Sequence, residues 1–371
     1  MSRQHLQLPD FPWDSLAGAA QRAREHPGGI VDLSVGTPVD AVADVIQIAL
    51  ASVAAVPGYP ATWGTAALRD AVVAAMSRRH DVHGLNPDAV LPTIGSKELI
   101  AWLPTLLGLG ADDTVVVPEL AYPTYEVGAK LAGARVIRAN GLTRLGPATP
   151  GSGRPALLFL NSPSNPTGAV LPVQHLRKVV EWARDRGTIV VSDECYLGLA
   201  WGDTAPLSLL HPDVNDGDLD GLLAVHSLSK TSSLAGYRAG FVTGDPALIA
   251  ELLEVRKHAG MIVPRPVQAA MVAALSDDDH AERQRERYRA RRARLLPAVQ
   301  AAGLRIEHSE AGLYLWATRD EDCRETVAWF AERGILVAPG EFYGPTGDHH
   351  VRIALTATDE RIEAAAARLQ R

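Results

Sequence analysis

The feature that most constrains the fold is an alternation of two hydrophobic patterns between residue 31 and about residue 275. Short apolar runs alternate with stretches in which apolar residues recur every three or four positions. The first pattern is typical of buried strands and the second of amphipathic helices. Such chains fold as a mostly parallel sheet covered by helices on both faces, so the sequence predicts an α/β protein. The predicted strands are residues 31–35, 90–94, 114–117, 134–137, 156–160, 188–192, 221–226 and 240–243. The predicted helices between them include residues 65–80, 97–109, 172–186 and 246–257.

A second pattern begins at residues 276–300, which are polar and highly charged. Seven arginines lie between Arg283 and Arg294, but Glu282 and Glu286 are interleaved with them and no series of aromatic residues accompanies them. This favours a solvated, ion-paired helix over a nucleic-acid surface.

The rest of the chain predicts a small α+β unit, with strand, helix, strand and helix near residues 311–317, 323–333, 350–355 and 359–369. We expect a large domain of residues 31–278. We expect a small domain formed by residues 279–371 together with residues 1–30, which carry an amino-terminal arm.

Composition excludes several classes of protein. The 36 basic and 43 acidic residues give a net charge of −7, which disfavours nucleic acid as a partner. Cys195 and Cys323 are the only cysteines, and with His349 and His350 they lack the spacing of metal ligands, so we expect neither a disulfide framework nor a metal site. No segment has the length and hydrophobicity of a membrane span or a signal peptide. We therefore expect a cytoplasmic protein with no membrane partner.

Chemically capable side chains follow several predicted strands, where ligands bind in open α/β sheets. Strand 90–94 runs into Gly95-Ser96-Lys97-Glu98, which could be a phosphate site or only a helix cap. Strand 188–192 ends in Asp193, which could be a functional carboxylate or one half of an ordinary ion pair.

The end of strand 221–226 is the most informative. It runs into Ser227-Leu228-Ser229-Lys230, and Arg238 follows between small residues. A lysine amine could form a Schiff base there and an arginine could bind phosphate, although Lys230 alone could equally be a surface lysine. The chain has few alternatives, because its only lysines are Lys97, Lys130, Lys178, Lys230 and Lys257.

Taken in order, the motifs resemble those of the fold-type I, class I/II aminotransferases, which depend on pyridoxal 5'-phosphate. The resemblance extends from Gly36 to Arg352. Residues 10–14, 33–40 and 95–98 are most similar to the N-succinyldiaminopimelate aminotransferases of lysine biosynthesis. The motifs are Asn165-Pro166-Thr167-Gly168, Asp193-Glu194-Cys195-Tyr196, Ser227-Leu228-Ser229-Lys230 and Gly236-Tyr237-Arg238-Ala239-Gly240.

The resemblance implies a role for each matching residue. Lys230 is expected to bind the cofactor covalently and then to act as the general base, while Asp193 lies against the pyridine nitrogen. Tyr196 and Asn165 are expected to bind the phenolic oxygen of the cofactor, and Tyr122 to stack on its ring. The expected phosphate ligands are Gly95, Ser96, Lys97, Ser227, Ser229 and Arg238.

The substrates implied are amino acids and 2-keto acids, with glutamate as the amino donor and N-succinyl-2-amino-6-ketopimelate as the acceptor. Arg352 is expected to bind the substrate α-carboxylate, with Gly36 and Asn165 beside it. Tyr59 matches a tyrosine that reaches the phosphate of a second subunit, so a homodimer is expected.

Other functions remain open at this stage. The scaffold also supports aminotransferases for aspartate or aromatic amino acids, and lyases or decarboxylases with the same cofactor. A DNA-binding regulator is disfavoured because about 30 residues before the main sheet are too few for a winged helix. A nicotinamide dehydrogenase is disfavoured because no G-x-G-x-x-G follows the first predicted strand.

Overall fold

The computed structural model describes residues 8–145, 154–202 and 205–370. Within these ranges no helix combines the length and the apolar character needed to cross a membrane. The helices are α1 (Ala17–Arg24), α2 (Asp44–Ser52), α3 (Ala66–His80), α4 (Ser96–Leu106), α5 (Thr124–Ala132), α6 (Val173–Arg184), α7 (Pro212–Asn215), α8 (Leu228–Thr231), α9 (Pro246–Ala259), α10 (Arg265–Ser276), α11 (Asp278–Ala301), α12 (Cys323–Glu332) and α13 (Asp359–Leu369).

The strands fall into three sheets. They are β1 (Val31–Asp32), β2 (Val90–Ile94), β3 (Thr114–Val117), β4 (Arg135–Arg138), β5 (Leu157–Asn161), β6 (Ile189–Asp193), β7 (Leu222–Ser227), β8 (Ala239–Gly244), β9 (Arg305–Glu307), β10 (Tyr314–Thr318), β11 (Ile335–Leu336), β12 (Ala338–Pro339) and β13 (His350–Ala354).

The largest sheet has seven strands in the order β2-β8-β7-β6-β5-β3-β4. Strand β8 runs antiparallel to both of its neighbours, and the remaining pairs are parallel. Successive strand residues point to opposite faces, so Leu157 and Leu158 enter two different cores. Helices α3, α6 and α10 cover one face, and α4, α5 and α9 cover the other. The predicted α/β class is confirmed.

Two of the predicted helices, α3 and α9, begin at residues whose side chains accept hydrogen bonds from the first turn. Thr65 accepts a hydrogen bond from the Leu68 amide and caps α3. Asp245 caps α9, where Pro246 occupies the first helical position. Each helix buries the apolar face that the sequence pattern indicated.

One predicted strand lies elsewhere. Residues 31–35 were expected in the main sheet, but β1 covers only Val31–Asp32 and pairs in parallel with β11. Val31 and Leu33 are buried in the core of the carboxy-terminal part, where β12-β13-β10-β9 form an antiparallel sheet. A short apolar run shows that a strand is buried but not which sheet it joins. The division into two domains remains a prediction. The pairing of β1 with β11 places residues 31 and 32 in the core of the carboxy-terminal part and not in the seven-stranded sheet.

The charged helix α11 is only partly the solvated face that its sequence predicts. Exposed ion pairs join Arg285 to Glu282 and Arg289 to Glu286. However, Arg291 is buried and binds both carboxylate oxygens of Asp40, at 2.6 and 2.8 Å. The helix therefore holds the segment that follows Gly36, close to the ends of the main strands.

Candidate active site

A cavity of about 430 Å³ lies where strands β5, β6 and β7 end. Residues from the seven-stranded sheet, from the four-stranded sheet and from the segment after β1 line it. Those predicted from the sequence are Gly36, Ser96, Lys97, Tyr122, Asn165, Asp193, Tyr196, Ser227, Ser229, Lys230, Arg238 and Arg352. Gly95 lies beside the cavity, against the guanidinium group of Arg238.

One end of the cavity is built to bind an anion. Gly95 has a φ of 75° and precedes the first turn of α4, whose amides have no partner within the helix. A Cβ atom at Gly95 would collide with Arg238, so glycine permits the close approach of this cation. Ser96 and Ser229 add hydroxyl groups, and Ser227 caps α8 by accepting from the Ser229 amide at 3.1 Å. This arrangement favours a phosphate group.

Lys230 lies on α8, immediately after this anion site. Its Nζ donates a hydrogen bond to the carbonyl oxygen of Gly36. Burial lowers the pKa of the Lys230 amine, and the positive charges of Arg352 and Arg238 lower it further. The amine is therefore more readily unprotonated, as a nucleophile or a general base must be.

Asp193 ends β6 and is buried at the wall of the cavity. Its carboxylate accepts a hydrogen bond from the Tyr125 hydroxyl at 2.8 Å and one from the Cys195 amide at 3.3 Å. Burial raises the pKa of Asp193, and the hydrogen bonds from Cys195 and Tyr125 oppose that rise. Both donors are neutral, so a cationic nitrogen in the cavity would find an uncompensated carboxylate.

Arg352 projects from β13 and is 3% exposed. Its two terminal nitrogens donate to Asn165 Oδ1 at 2.9 Å and to the Ser34 carbonyl at 2.7 Å. Its Nε has no hydrogen-bond partner among the described residues. A buried guanidinium with remaining donor capacity is suited to a carboxylate, which lacks donors of its own.

Tyr122 and Tyr196 supply the aromatic walls. Burial raises the pKa of Tyr122 to about 12, so its phenol is neutral at physiological pH. The Tyr196 hydroxyl lies 3.1 Å from the hydroxyl of Tyr314.

Sequence reasoning missed four residues of the site. Asn161 holds the loop by donating to the Asp193 carbonyl and accepting from the Asn165 amide. Tyr125 binds Asp193, and Tyr314 binds Tyr196. Cys195 had no role in the expected site, but its Sγ donates to Ser96 Oγ at 3.2 Å within the cavity. Asn161 and Cys195 stand inside the quoted motifs and could have been noticed, whereas no local signal marks Tyr125 or Tyr314.

Tyr59 does not line the cavity of its own chain and is 96% exposed, so its expected contact with a second subunit stays a prediction.

In the described ranges no three side chains of His, Cys, Asp or Glu come together in a way that could hold a metal ion.

The donor groups together fit one kind of ligand. They would hold a phosphate at Arg238 and α4, a protonated ring nitrogen at Asp193, and an aldehyde carbon within reach of the Lys230 amine. The carboxylate site at Arg352 opens into the same cavity. Pyridoxal 5'-phosphate has these three groups, so the residues present fit the expected cofactor.

Comparison with known proteins agrees with this geometry. The chain is 70% identical to a probable aminotransferase of Mycobacterium tuberculosis, over 98% of this chain and 85% of that protein. It is 58% identical to the 4-dedimethylamino-4-oxo-anhydrotetracycline transaminase of Streptomyces rimosus, over 98% and 99% of the two chains. The structure resembles that of a probable N-succinyldiaminopimelate aminotransferase from Thermus thermophilus, with a TM-score of 0.85, 28% identity, and 97% and 99% coverage.

The sequence model of the family described as aminotransferase class I and II matches residues 29–369. This match covers the anion site, Asp193, Lys230 and Arg352. The chain belongs to the class I and II aminotransferases, whose cofactor is pyridoxal 5'-phosphate.

Proposed function

We propose that this aminotransferase moves an amino group between glutamate and N-succinyl-2-amino-6-ketopimelate. The observation that carries the proposal is the position of Arg352, buried at the cavity that contains Lys230. An α-carboxylate bound there would bring the adjacent amino or keto carbon to the lysine side of the cavity. Motif similarity and the Thermus thermophilus structure support the narrower choice of acceptor.

Each predicted site residue has a defined task in this proposal. Arg238, Ser96, Ser227, Ser229 and the amides after Gly95 hold the phosphate. Tyr122 would cover the ring, Asp193 would keep the ring nitrogen protonated, and Tyr196 and Asn165 would bind the phenolic oxygen. These last four residues also line the cavity. The cofactor, when bound, supplies an electron sink that stabilises negative charge at the substrate α-carbon.

Lys230 would move the proton in this reaction. Its pKa is lowered by burial, so the free amine can accept a proton from the α-carbon and return it to a neighbouring atom. The Gly36 carbonyl, which accepts a hydrogen bond from Nζ, marks one position of the amine at the wall of the cavity. Arg352 and Asn165, joined by a hydrogen bond, fix the substrate carboxylate beside it.

The cavity has a further cation that can select a longer substrate. Lys97 lines it, with Nζ 5.8 Å from the Phe11 ring centroid and 5.9 Å from that of Tyr122. The N-succinyl group ends in a second carboxylate, which could pair with this exposed ammonium group. Three other basic residues do not line the cavity: Arg24, Lys257 and Arg265.

A homodimer with shared active sites is part of the proposal. Tyr59 is almost fully exposed, and exposed apolar side chains lie near it in sequence, at Val45, Ile48 and Val56. Exposed apolar residues grouped in this way favour a protein interface.

One observation favours a second candidate acceptor. The 58% identity to the Streptomyces rimosus transaminase exceeds the 28% identity to the Thermus thermophilus protein. A large polycyclic ketone related to 4-oxo-anhydrotetracycline is therefore the alternative acceptor.

A panel of acceptors assayed with glutamate as donor tests the proposal. N-succinyl-2-amino-6-ketopimelate should give a higher kcat/KM than oxaloacetate, phenylpyruvate or a 4-oxo-anhydrotetracycline. Only this acceptor carries both an α-carboxylate for Arg352 and a carboxylate on a long side chain for Lys97. A Lys97→Ala variant should lose more activity with the succinylated acceptor than with oxaloacetate. Preference for the polycyclic ketone would establish the second candidate, and preference for oxaloacetate or phenylpyruvate would contradict the narrow assignment.

A further inference from the structure

The hydroxyl of Tyr314 lies in the active-site cavity, although none of the quoted motifs includes this residue. Tyr314 begins β10 and is 3% exposed. Its oxygen is 3.1 Å from the hydroxyl oxygen of Tyr196, and the two rings meet edge to face with centroids 5.8 Å apart. Tyr196 therefore has a fixed neighbour on the side of its hydroxyl.

Two residues fix the Tyr314 ring in this position. A Cβ atom on residue 36 would collide with the Tyr314 hydroxyl, so the glycine there allows the phenol to reach Tyr196. On the other side, the Arg352 guanidinium carbon lies 4.0 Å from the Tyr314 ring centroid. The antiparallel pairing of β10 with β13 sets this contact, since it places Trp316 opposite Arg352 and Tyr314 two residues away.

The surroundings of Tyr314 also make it the more acidic member of the pair. Burial by itself raises the pKa of Tyr314, but the positive charges of Arg352 and Lys230 bring it below its ordinary value. Burial and the neighbouring phenol raise the pKa of Tyr196. The groups that face Tyr314 are Tyr122, Cys195, Tyr196, Lys230, Tyr288, Tyr343 and Arg352.

We propose that Tyr314 is a positioning residue that holds the Tyr196 hydroxyl and directs its proton toward the phenolic oxygen of the cofactor. A hydroxyl has one proton to donate and two lone pairs to accept with. When Tyr314 donates to Tyr196, the proton of Tyr196 remains available for the cofactor. A chain of two such hydrogen bonds strengthens each of them, and an acidified phenol is the better donor at its start.

This role rests on the proposed placement of Tyr196 at the phenolic oxygen. Loss of a donor to that oxygen disfavours its deprotonated form. Removing the Tyr314 hydroxyl should therefore act in the same direction as removing the Tyr196 hydroxyl, but to a smaller extent.

The experiment compares Tyr314→Phe, Tyr196→Phe and the double variant with Tyr343→Phe as the matched control. Tyr343 also presents its ring to Arg352, at 5.0 Å, but its buried hydroxyl has no hydrogen-bond partner among the described residues and does not line the cavity. Each of the three substitutions keeps the ring and removes one hydroxyl. Folding is checked by thermal unfolding and by retention of cofactor.

The principal readout is the pH at which the visible absorbance of the bound cofactor changes. Tyr314→Phe should raise this midpoint by roughly half a pH unit, and Tyr196→Phe should raise it more. The double variant should match Tyr196→Phe, since Tyr314 acts through Tyr196. Tyr343→Phe should leave the midpoint unchanged.

A second readout uses the protein without cofactor. Ultraviolet titration should show one tyrosine ionising below the others, and this step should disappear in Tyr314→Phe but persist in Tyr343→Phe. In the enzyme with cofactor bound, kcat of Tyr314→Phe should fall by about threefold to tenfold, while KM for glutamate should change little.

The possible results distinguish the role of Tyr314 from the placement of Tyr196 on which that role rests. A shift in Tyr196→Phe without a shift in Tyr314→Phe, or an equal shift in Tyr343→Phe, would overturn the role of Tyr314 alone. No shift in Tyr196→Phe would overturn the placement of Tyr196 and with it the role of Tyr314.

Discussion

The hydroxyl of Tyr125 donates a hydrogen bond of 2.8 Å to Asp193, and both side chains are buried. Tyr125 lies in the first turn of α5, where its ring stacks on Phe159 with centroids 4.9 Å apart. The Asp193 carboxylate, which we propose to lie against the ring nitrogen of the cofactor, is thus held at the end of β6 by a neutral donor from α5. A neutral donor stabilises the ionised carboxyl group without cancelling its charge.

Tyr125→Phe should therefore raise the pKa of Asp193 above its already raised value. As the pH falls, the carboxyl group then takes up its proton at a higher pH, and the acid limb of the kcat profile moves upward by less than about one pH unit. Steady-state assays across the acid range measure this shift. Asp193→Asn is the comparison, because it removes the titrating group and should abolish most of the rate. An acid limb at the wild-type position in folded Tyr125→Phe enzyme would contradict the role of this hydrogen bond.

Lys230→Ala should abolish turnover and the visible absorption of the bound cofactor. Of the described lysines only Lys97 and Lys230 line the cavity, and Lys97 is exposed. Loss of a covalent catalyst costs several orders of magnitude in rate. Lys257→Ala is the control, since Lys257 is exposed and paired with Glu254. Borohydride reduction followed by peptide mapping should locate the cofactor on Lys230. Its recovery on Lys97 would show that the assignment is wrong.

Arg352→Ala should weaken every amino-acid donor and every 2-keto-acid acceptor, because all of them share the α-carboxylate. The loss is on the order of a few kcal/mol in kcat/KM, since the substrate charge remains buried without its partner. Arg352→Lys should recover little of it, because an ammonium group cannot replace a planar guanidinium bound to Asn165 and Ser34. Arg305→Ala, at an exposed ion pair with Asp320, serves as the control. Equal kcat/KM values in Arg352→Ala and the control would exclude Arg352 from carboxylate binding.

Subunit complementation should reveal the proposed homodimer. A Lys230→Ala chain is inactive in its own site but supplies an intact Tyr59, whereas a Tyr59→Ala chain has an intact Lys230. If Tyr59 reaches the partner's phosphate, mixing the two after reversible dissociation creates one complete site per hybrid dimer. Activity should then rise above that of either variant alone, and sedimentation should show a dimer. A fully active monomer, or no gain on mixing, would argue against a shared site.

The buried pair of Asp40 and Arg291 should contribute to stability in a pH-dependent way. Burial raises the pKa of Asp40, but hydrogen bonds from Arg291 and Gln284 outweigh it and leave the pKa below the ordinary value of 3.8. Because the folded-state pKa is lowered, the contribution is complete above about pH 4 and is lost as the pH falls through the folded-state value.

Asp40→Asn should accordingly lower the free energy of unfolding near neutral pH, by less than about 3 kcal/mol, since the buried Arg291 would keep only the exposed Asp359 as a charged partner. Glu363→Gln at the exposed pair with Arg294 should change it little. Denaturant unfolding at neutral and acid pH measures both. The difference between Asp40→Asn and the wild type should shrink in acid, and a constant difference would contradict the assignment.

The sequence by itself determined the parts of this protein that depend on local order. Hydrophobic periodicity identified the main strands and the helices α3, α4, α6 and α9, because burial of one face imposes that pattern. Strand-end motifs predicted the cavity residues from Gly95 through Lys230 to Arg238, since the carboxyl ends of neighbouring strands meet at one edge of a sheet.

Only the tertiary structure decided which distant residues meet. Strand β1 pairs with β11 across about 300 residues, and Arg291 leaves the solvated face of α11 to bind Asp40. Tyr125 and Tyr314 join the site through contacts with Asp193 and Tyr196 that no local pattern encodes. Periodicity records whether a side chain is buried, but the partner it finds there depends on how the sheets and helices pack in three dimensions.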